Sequence, residues 1–280
     1  MTVLDTRQEK NMKLSIVYST QQTKFQAATF SGELKENISK IAHLGYDGVE
    51  LAIRDPKLIN LDELEENTKS LNLEVPALGT GQAWGEEGLS FTDPDPQIRK
   101  SAIERIQNHI PVAKRFDAVI IIGLIRGILK PGVHHKQAMD WLIDALQQCC
   151  SKAQKSEVRL ALEPINRFET SLINNVEQGM QLVADVGMSN FGLLLDTFHM
   201  NIEEPNIEKS IEICGDRLFH FHVADSNRWY PGAGHLDFES ILNKLSTTRY
   251  TGFISGEFLP LPDVDTAANN NINFLRNIRT

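Results

Sequence analysis

Two unlike patterns alternate along this chain, and their alternation limits the possible folds more than any other feature. Short aliphatic runs take turns with longer stretches of helical periodicity, eight times in 280 residues. The aliphatic runs are Leu14–Tyr18, Gly48–Ile53, Val75–Leu78, Ala118–Ile122, Leu160–Leu162, Phe191–Leu195, Leu218–Val223 and Phe253–Ser255. Several lack polar alternation. Ala118–Ile122 is the plainest case, and such a run suits a strand covered on both faces of a parallel sheet. Helices are predicted over 34–44, 61–71, 96–116, 135–155, 175–186, 206–214, 238–245 and 267–275, with a long loop from 79 to 95. Eight strand–helix units predict an α/β fold, a single-domain (β/α)8 barrel. An open doubly wound sheet would carry a glycine fingerprint after an early strand, and none is present. The polar segment 1–12 has no apolar core of signal-peptide length and is read as a disordered extension, leaving 13–280 for the barrel.

In a barrel of this type the functional groups lie at the C-terminal ends of the strands. The run Leu160-Ala161-Leu162 stops at Glu163-Pro164, where proline cannot donate to a sheet ladder. The next three tips carry Asp196, His222 and Glu257. These three carboxylates and one imidazole converge on one end of the barrel, and like charges that close cannot all stay ionised without a cation. Oxygen-rich ligation with one nitrogen suits Mn²⁺, Mg²⁺ or Co²⁺ better than a structural zinc. A salt-bridge network with Arg167 and Arg228 is the competing account, and four successive tips of ligand type weigh against it. His220 and His222 are two apart on one strand and share a face. His222 is nearer the tip and is the ligand candidate, while His220 is read as a core or supporting group. His199 follows Asp196 by three residues and is a candidate substrate contact, as is Glu169 in the loop after Arg167.

The formal net charge of −9 disfavours a nucleic-acid or anionic-membrane partner, since phosphate binding needs basic surface. No apolar run approaches the roughly 20 residues of a membrane span. Cys149, Cys150 and Cys214 show no C-x-x-C spacing, so free thiols in a reducing cytoplasm are expected.

Five motifs resemble, in order and spacing, those of the xylose isomerase-like TIM-barrel superfamily of sugar isomerases and epimerases. They are Glu163-Pro-Ile-Asn-Arg-Phe-Glu169, Asp196-Thr-Phe-His-Met-Asn-Ile-Glu-Glu204, His220-Phe-His-Val-Ala-Asp-Ser-Asn-Arg228, Pro231-Gly-Ala-Gly234 and Ser255-Gly-Glu257. The nearest resemblance is to 5-keto-L-gluconate epimerases and D-tagatose/D-psicose 3-epimerases. Gly79-Thr-Gly-Gln-Ala-Trp84 and Ile121-Ile-Gly-Leu-Ile-Arg126 look like the keto-gluconate branch. The resemblance implies that Glu163, Asp196, His222 and Glu257 hold a divalent metal, Mn²⁺ foremost, and that Glu163 and Glu257 double as the acid/base pair. It implies that Glu169, His199 and Arg228 hold the O1 and O2 end of the sugar, and that the chain forms a homodimer or homotetramer. Epimerising a carbon beside a ketone needs proton removal on one face and return on the other, through a cis-enediolate, with no organic cofactor.

The substrate expectation rests on Arg126. It lies just past the fourth strand tip, flanked by Ile125 and Gly127 with no adjacent acid, so it is expected to reach the barrel mouth. A guanidinium there would pair with a carboxylate, which predicts a keto-hexonate such as 5-keto-L-gluconate or D-tagaturonate. Arg54 is the weaker candidate, because Asp55 stands beside it. Neutral ketohexose 3-epimerisation, hydroxypyruvate isomerisation and inosose dehydration use a similar enediolate, and fold alone does not separate them. A metal nuclease of the endonuclease IV type shares the barrel, but acidic charge and few histidines at strand tips weigh against it. Intact acid/base candidates likewise weigh against a non-catalytic sugar-binding barrel.

Overall fold

A computed structural model describes residues 12–278. Its parallel strands are β1 (Leu14–Ser19), β2 (Phe30–Ser31), β3 (Gly48–Ala52), β4 (Ala77–Gly79), β5 (Val119–Ile122), β6 (Leu160–Leu162), β7 (Phe191–Asp196), β8 (Leu218–Val223) and β9 (Ile254–Gly256). Eight of them follow one another in the order β1-β3-β4-β5-β6-β7-β8-β9, and β9 pairs back onto β1, so the sheet closes on itself. The short β2 is a spur on the end of β1. The expected single-domain (β/α)8 barrel is therefore what the chain forms.

The helices that follow the barrel strands begin where the sequence supplies caps. Asp95 accepts from the Gln97 N–H with Pro96 in the first turn, Asn175 from Gln178, and Asn206 from Lys209. Two segments differ from expectation. The stretch expected as a long loop after β4 contains a helix, Gln82–Glu87, closed by Gly88 at φ 71°. Asp196, which ends β7, also caps a helix over Thr197–Glu203, accepting from the Phe198 N–H at 2.9 Å. A strand that turns into a helix within one residue leaves no loop signal to read.

Alternation along the strands sorts the core into two layers. In β5, Ile120 and Ile122 face the surrounding helices, while Val119 and Ile121 face the barrel axis with Ala77, Ala161 and Leu194. The inward rows turn polar toward the C-terminal end: Ala161 is followed two places on by Glu163, and Leu194 by Asp196. The same period places the functional groups inside the barrel mouth.

The expected extension over residues 1–12 lies outside the described residues except for Met12, whose carbonyl accepts from Arg276 Nη1 at 2.9 Å. Cys149, Cys150 and Cys214 are free and buried. No helix among the described residues is long and apolar enough to cross a membrane.

Candidate active site

The C-terminal tips of β6 to β9 bring four expected side chains together. Glu163, Asp196, His222 and Glu257 each offer a ligand atom, and these atoms lie within 4.8 Å of one another. Asp196 and His222 are direct register partners across β7 and β8. Two atoms of this group, Glu163 Oε1 and His222 Nδ1, are buried without a hydrogen-bond partner. A buried polar atom left unsatisfied costs about 1–3 kcal/mol, so a native site needs a reason to keep two. Three carboxylates and one imidazole nitrogen with orphaned lone pairs fit a hard or borderline divalent cation.

The salt-bridge account is present in part. Arg228 Nη1 lies 2.6 Å from Asp196 Oδ2, and Nη2 bonds to Glu257 Oε2. Arg167 takes no share; it pairs with Glu203 toward solvent. Arg228 thus serves two carboxylates and leaves Glu163 without a bonded cation. Burial, and then the charges of Glu257 and Asp196, push the Glu163 carboxyl up to about 8. Burial works against the charged form of His222 as well, yet Glu50 and Glu257 outweigh it and hold the imidazole well above its ordinary value.

Glu163, His222 and Glu257 line a cavity of about 260 Å³, as do Glu169, His199 and Arg228. The Asn166 amide ties two of these together, donating to Glu169 Oε1 at 2.8 Å and facing His199 Nδ1 at 2.8 Å. His199 Nδ1 then accepts, and its Nε2–H points toward Glu163 Oε1 at 3.5 Å. Burial, with the charges of Arg228 and Arg126, holds His199 well below its usual value, in the neutral form. Arg228 stands at φ 64°, a left-handed backbone that costs a non-glycine residue about 1–2 kcal/mol. The turn is held by its N–H donating to Asp225 O and by the Leu259 N–H donating to its carbonyl, each at 2.8 Å. The guanidinium lies 4.7 Å from the Phe198 ring centroid.

Arg126 is not where the sequence led us to expect it. It is 0% exposed and does not line the cavity. The 3-10 turn over Leu124–Arg126 sends its side chain under the tip of β6, where backbone carbonyls converge. Nε donates to Gly123 O at 3.1 Å, Nη1 to Ile173 O at 3.1 Å and Leu172 O at 3.4 Å, and Nη2 to Glu163 O. A guanidinium spent on carbonyls does not reach a substrate carboxylate. Arg54 pairs with Glu87 at 3.4 Å rather than with its neighbour Asp55.

One buried acid escaped the sequence reading. Glu50, in the middle of β3, lies within hydrogen-bond distance of both His220 and His222. A lone carboxylate inside the run Gly-Val-Glu-Leu-Ala was the available signal. A larger cavity, about 580 Å³, lies at the opposite end of the barrel. Two ion pairs cross its lining, Lys13 with Glu74 at 2.6 Å and Arg249 with Asp216 at 3.3 Å, and among the described residues its lining has no comparable carboxylate cluster.

Comparison with known proteins agrees with the barrel fold. The family described as Xylose isomerase-like TIM barrel matches residues 38–278. The L-ribulose 3-epimerase of Methylomonas sp. (strain DH-1) is 30% identical over 247 residues, spanning 87% of this chain and 85% of that protein. The 3-dehydro-D-guloside 4-epimerase of Escherichia coli (strain K12) is 26% identical, over 81% of this chain and 87% of its own length. The crystal structure of D-allulose 3-epimerase from Methylomonas sp. in complex with D-allulose superimposes with a TM-score of 0.80 at 26% identity, covering 95% of this chain and 98% of that one. The chain belongs to the xylose isomerase-like TIM barrel family, alongside relatives that are sugar epimerases.

Proposed function

We propose that the protein is a divalent-metal-dependent 3-epimerase of a neutral ketose. The observation that carries this reading is the convergence of Glu163, Asp196, His222 and Glu257, with ligand atoms within 4.8 Å of one another, beside a cavity that Glu163, His222 and Glu257 line. Held by these four residues, Mn²⁺, or Mg²⁺ or Co²⁺ in its place, would offset the negative charge that develops on a ketone oxygen as the neighbouring C–H bond breaks. The proton transfers fall to the two glutamates. One carboxylate removes the proton from the carbon beside the ketone. The C–H electron pair becomes the double bond of a cis-enediolate, and the carbonyl oxygen takes the charge. The other glutamic acid delivers a proton to the opposite face, which restores the ketone and inverts the carbon. His199 offers an N–H donor, Arg228 a guanidinium and Glu169 an acceptor to the O1 and O2 end of the sugar. The scheme requires no organic cofactor. The sequence-based expectation of a cytoplasmic homodimer or homotetramer is part of the same reading.

The cavity wall supports the neutral substrate. Its arginine and lysine side chains among the described residues are Arg228, already bonded to Asp196 and Glu257, and Lys24, whose side chain is 92% exposed and 3.9 Å from Glu86. Much of the remaining wall is apolar, formed by Val17, Phe25, Ala52, Trp84 and Ile121. A carboxylate placed there would lack the guanidinium it wants. With Arg126 under the strand tips, the keto-hexonate expectation loses its residue.

A substrate panel run in D₂O tests the reading. D-psicose, D-tagatose and L-ribulose should epimerise with deuterium entering at C3, and with a higher kcat/KM than 5-keto-L-gluconate or D-tagaturonate. Deuterium at C4 would move the assignment to a 4-epimerase. A higher kcat/KM for the acids would restore the sugar-acid substrate.

A further inference from the structure

Glu50 is 1% exposed at the centre of an apolar strand. Alternation sends Val49 and Leu51 into the outer core and Glu50 into the barrel. There it meets β8. His220 Nε2 lies 2.8 Å from Glu50 Oε2, and His222 Nε2 lies 2.9 Å from the same oxygen and 3.0 Å from Oε1. The two imidazoles stand edge to face, with centroids 5.2 Å apart. An ionised carboxylate only accepts, so each ring gives its Nε2–H to Glu50. The nitrogen that His222 has left for a cation is Nδ1. This is the buried nitrogen without a hydrogen-bond partner, 3.6 Å from Glu257 Oε2.

We infer that Glu50 is a positioning residue: it fixes His222 through Nε2 and turns Nδ1 toward Glu163, Asp196 and Glu257. The inference rests on the metal reading above. A metal-binding histidine needs its other nitrogen held, because an imidazole free to rotate or change tautomer presents the wrong atom part of the time. His220 completes the arrangement by occupying the same Glu50 oxygen, which restricts rotation of the carboxylate. The barrel interior thus carries a polar row, His220–Glu50–His222, that reaches the site from below.

The test is Mn²⁺ affinity, read by electron paramagnetic resonance of free Mn²⁺, for the unmodified protein and Glu50→Gln. Glutamine keeps the shape but offers one accepting oxygen and turns an N–H₂ toward the other imidazole. The dissociation constant should rise by about 10- to 100-fold. A merely structural role would lower the melting temperature of the metal-free chain and leave Mn²⁺ affinity unmoved. A constant within about twofold of the unmodified protein's, in a folded Glu50→Gln, would overturn the inference and leave the metal reading standing. No Mn²⁺ binding by the unmodified protein would overturn both. Binding of two Mn²⁺ per chain, one lost in Glu50→Gln, would make Glu50 a ligand instead. Should Glu50→Gln not fold, the ¹⁵N-histidine spectrum of the unmodified, Mg²⁺-loaded protein decides the matter. A proton on His222 Nε2 is expected, and a proton on Nδ1 would overturn the inference.

Discussion

The loops beyond β5 and β8 each bring an arginine to the same end of the barrel, one fully buried and one partly exposed, and the two arginines do different work. Arg126 bonds only to backbone carbonyls, those of Gly123, Glu163, Leu172 and Ile173. Its surroundings are shaped to hold it. Gly127 follows at φ 94°, where a Cβ would lie 2.1 Å from Ser90 Oγ. Ile173 sits at φ 58°, a true outlier for a β-branched residue, with its carbonyl on the guanidinium. Arg228 bonds to the carboxylates of Asp196 and Glu257 and carries the backbone strain itself. Carbonyl dipoles satisfy a guanidinium without neutralising it, whereas carboxylates do both. The partner atoms therefore separate an arginine that builds the frame under Glu163 from one that works on the charges of the site.

The comparison breaks first, and hardest, at Arg126. Arg126→Ala leaves the carbonyls of Glu163 and Leu172 bare, since Gly123 O keeps the Arg126 backbone N–H and Ile173 O keeps Ile165 N–H. Two unsatisfied buried carbonyls and the void beside them should cost on the order of 4 kcal/mol, measured by urea unfolding. Arg126→Lys should recover little, because a point charge cannot serve four diverging acceptors. Unchanged stability, with selective loss of turnover on sugar acids, would return Arg126 to the substrate.

Arg228 should show the opposite signature. Arg228→Ala removes a donor poised where charge develops, and kcat/KM should fall by about 10²- to 10³-fold. Its urea midpoint should move less than that of Arg126→Ala when both are compared with Mn²⁺ present. If Arg228→Ala unfolds as readily as Arg126→Ala and its folded fraction turns over normally, partner type does not separate the two roles.

The same contrast separates the residues whose roles show in the sequence from those whose roles do not. Glu163, Asp196, His222 and Glu257 were legible as a set because each stands at or beside the C-terminal end of a predicted strand and the fold brings such ends together. Arg126 was misread because its chain neighbours, Ile125 and Gly127, report only the absence of an adjacent acid. The carbonyls that claim it come from Leu172 and Ile173, 46 and 47 positions later, and a carbonyl leaves no mark in a sequence. Glu50 was passed over because its partners are 170 and 172 positions away, on a strand that joins it only inside the closed barrel. The helix over Thr197–Glu203 was missed because Asp196 serves as strand end, helix cap and candidate ligand at once.

A third arginine sharpens the comparison at its small end. Arg167 lies in the same loop as Asn166 and Glu169, so nearness to the site would rank it with Arg228. Its partner is Glu203, which it meets through Nε at 2.9 Å and Nη2 at 2.7 Å, with a side chain 63% exposed. Water and salt screen such a pair, and many contribute nothing measurable. The loop also keeps a second tie, because the Arg167 backbone N–H donates to Glu203 Oε1 at 2.6 Å and survives truncation. Arg167→Ala should therefore change kcat/KM by about twofold or less and leave the urea midpoint near that of the unmodified protein. The hydrogen bonds from Arg167, though opposed by partial burial, hold the Glu203 carboxyl below its ordinary range. Any stability from the pair is thus present above the usual glutamate pKa and lost as pH falls through the lowered one. Unfolding midpoints of Arg167→Ala and the unmodified protein should converge on acidification. A loss of turnover near that of Arg228→Ala would show that position in the loop, rather than the partner atom, decides what an arginine does here.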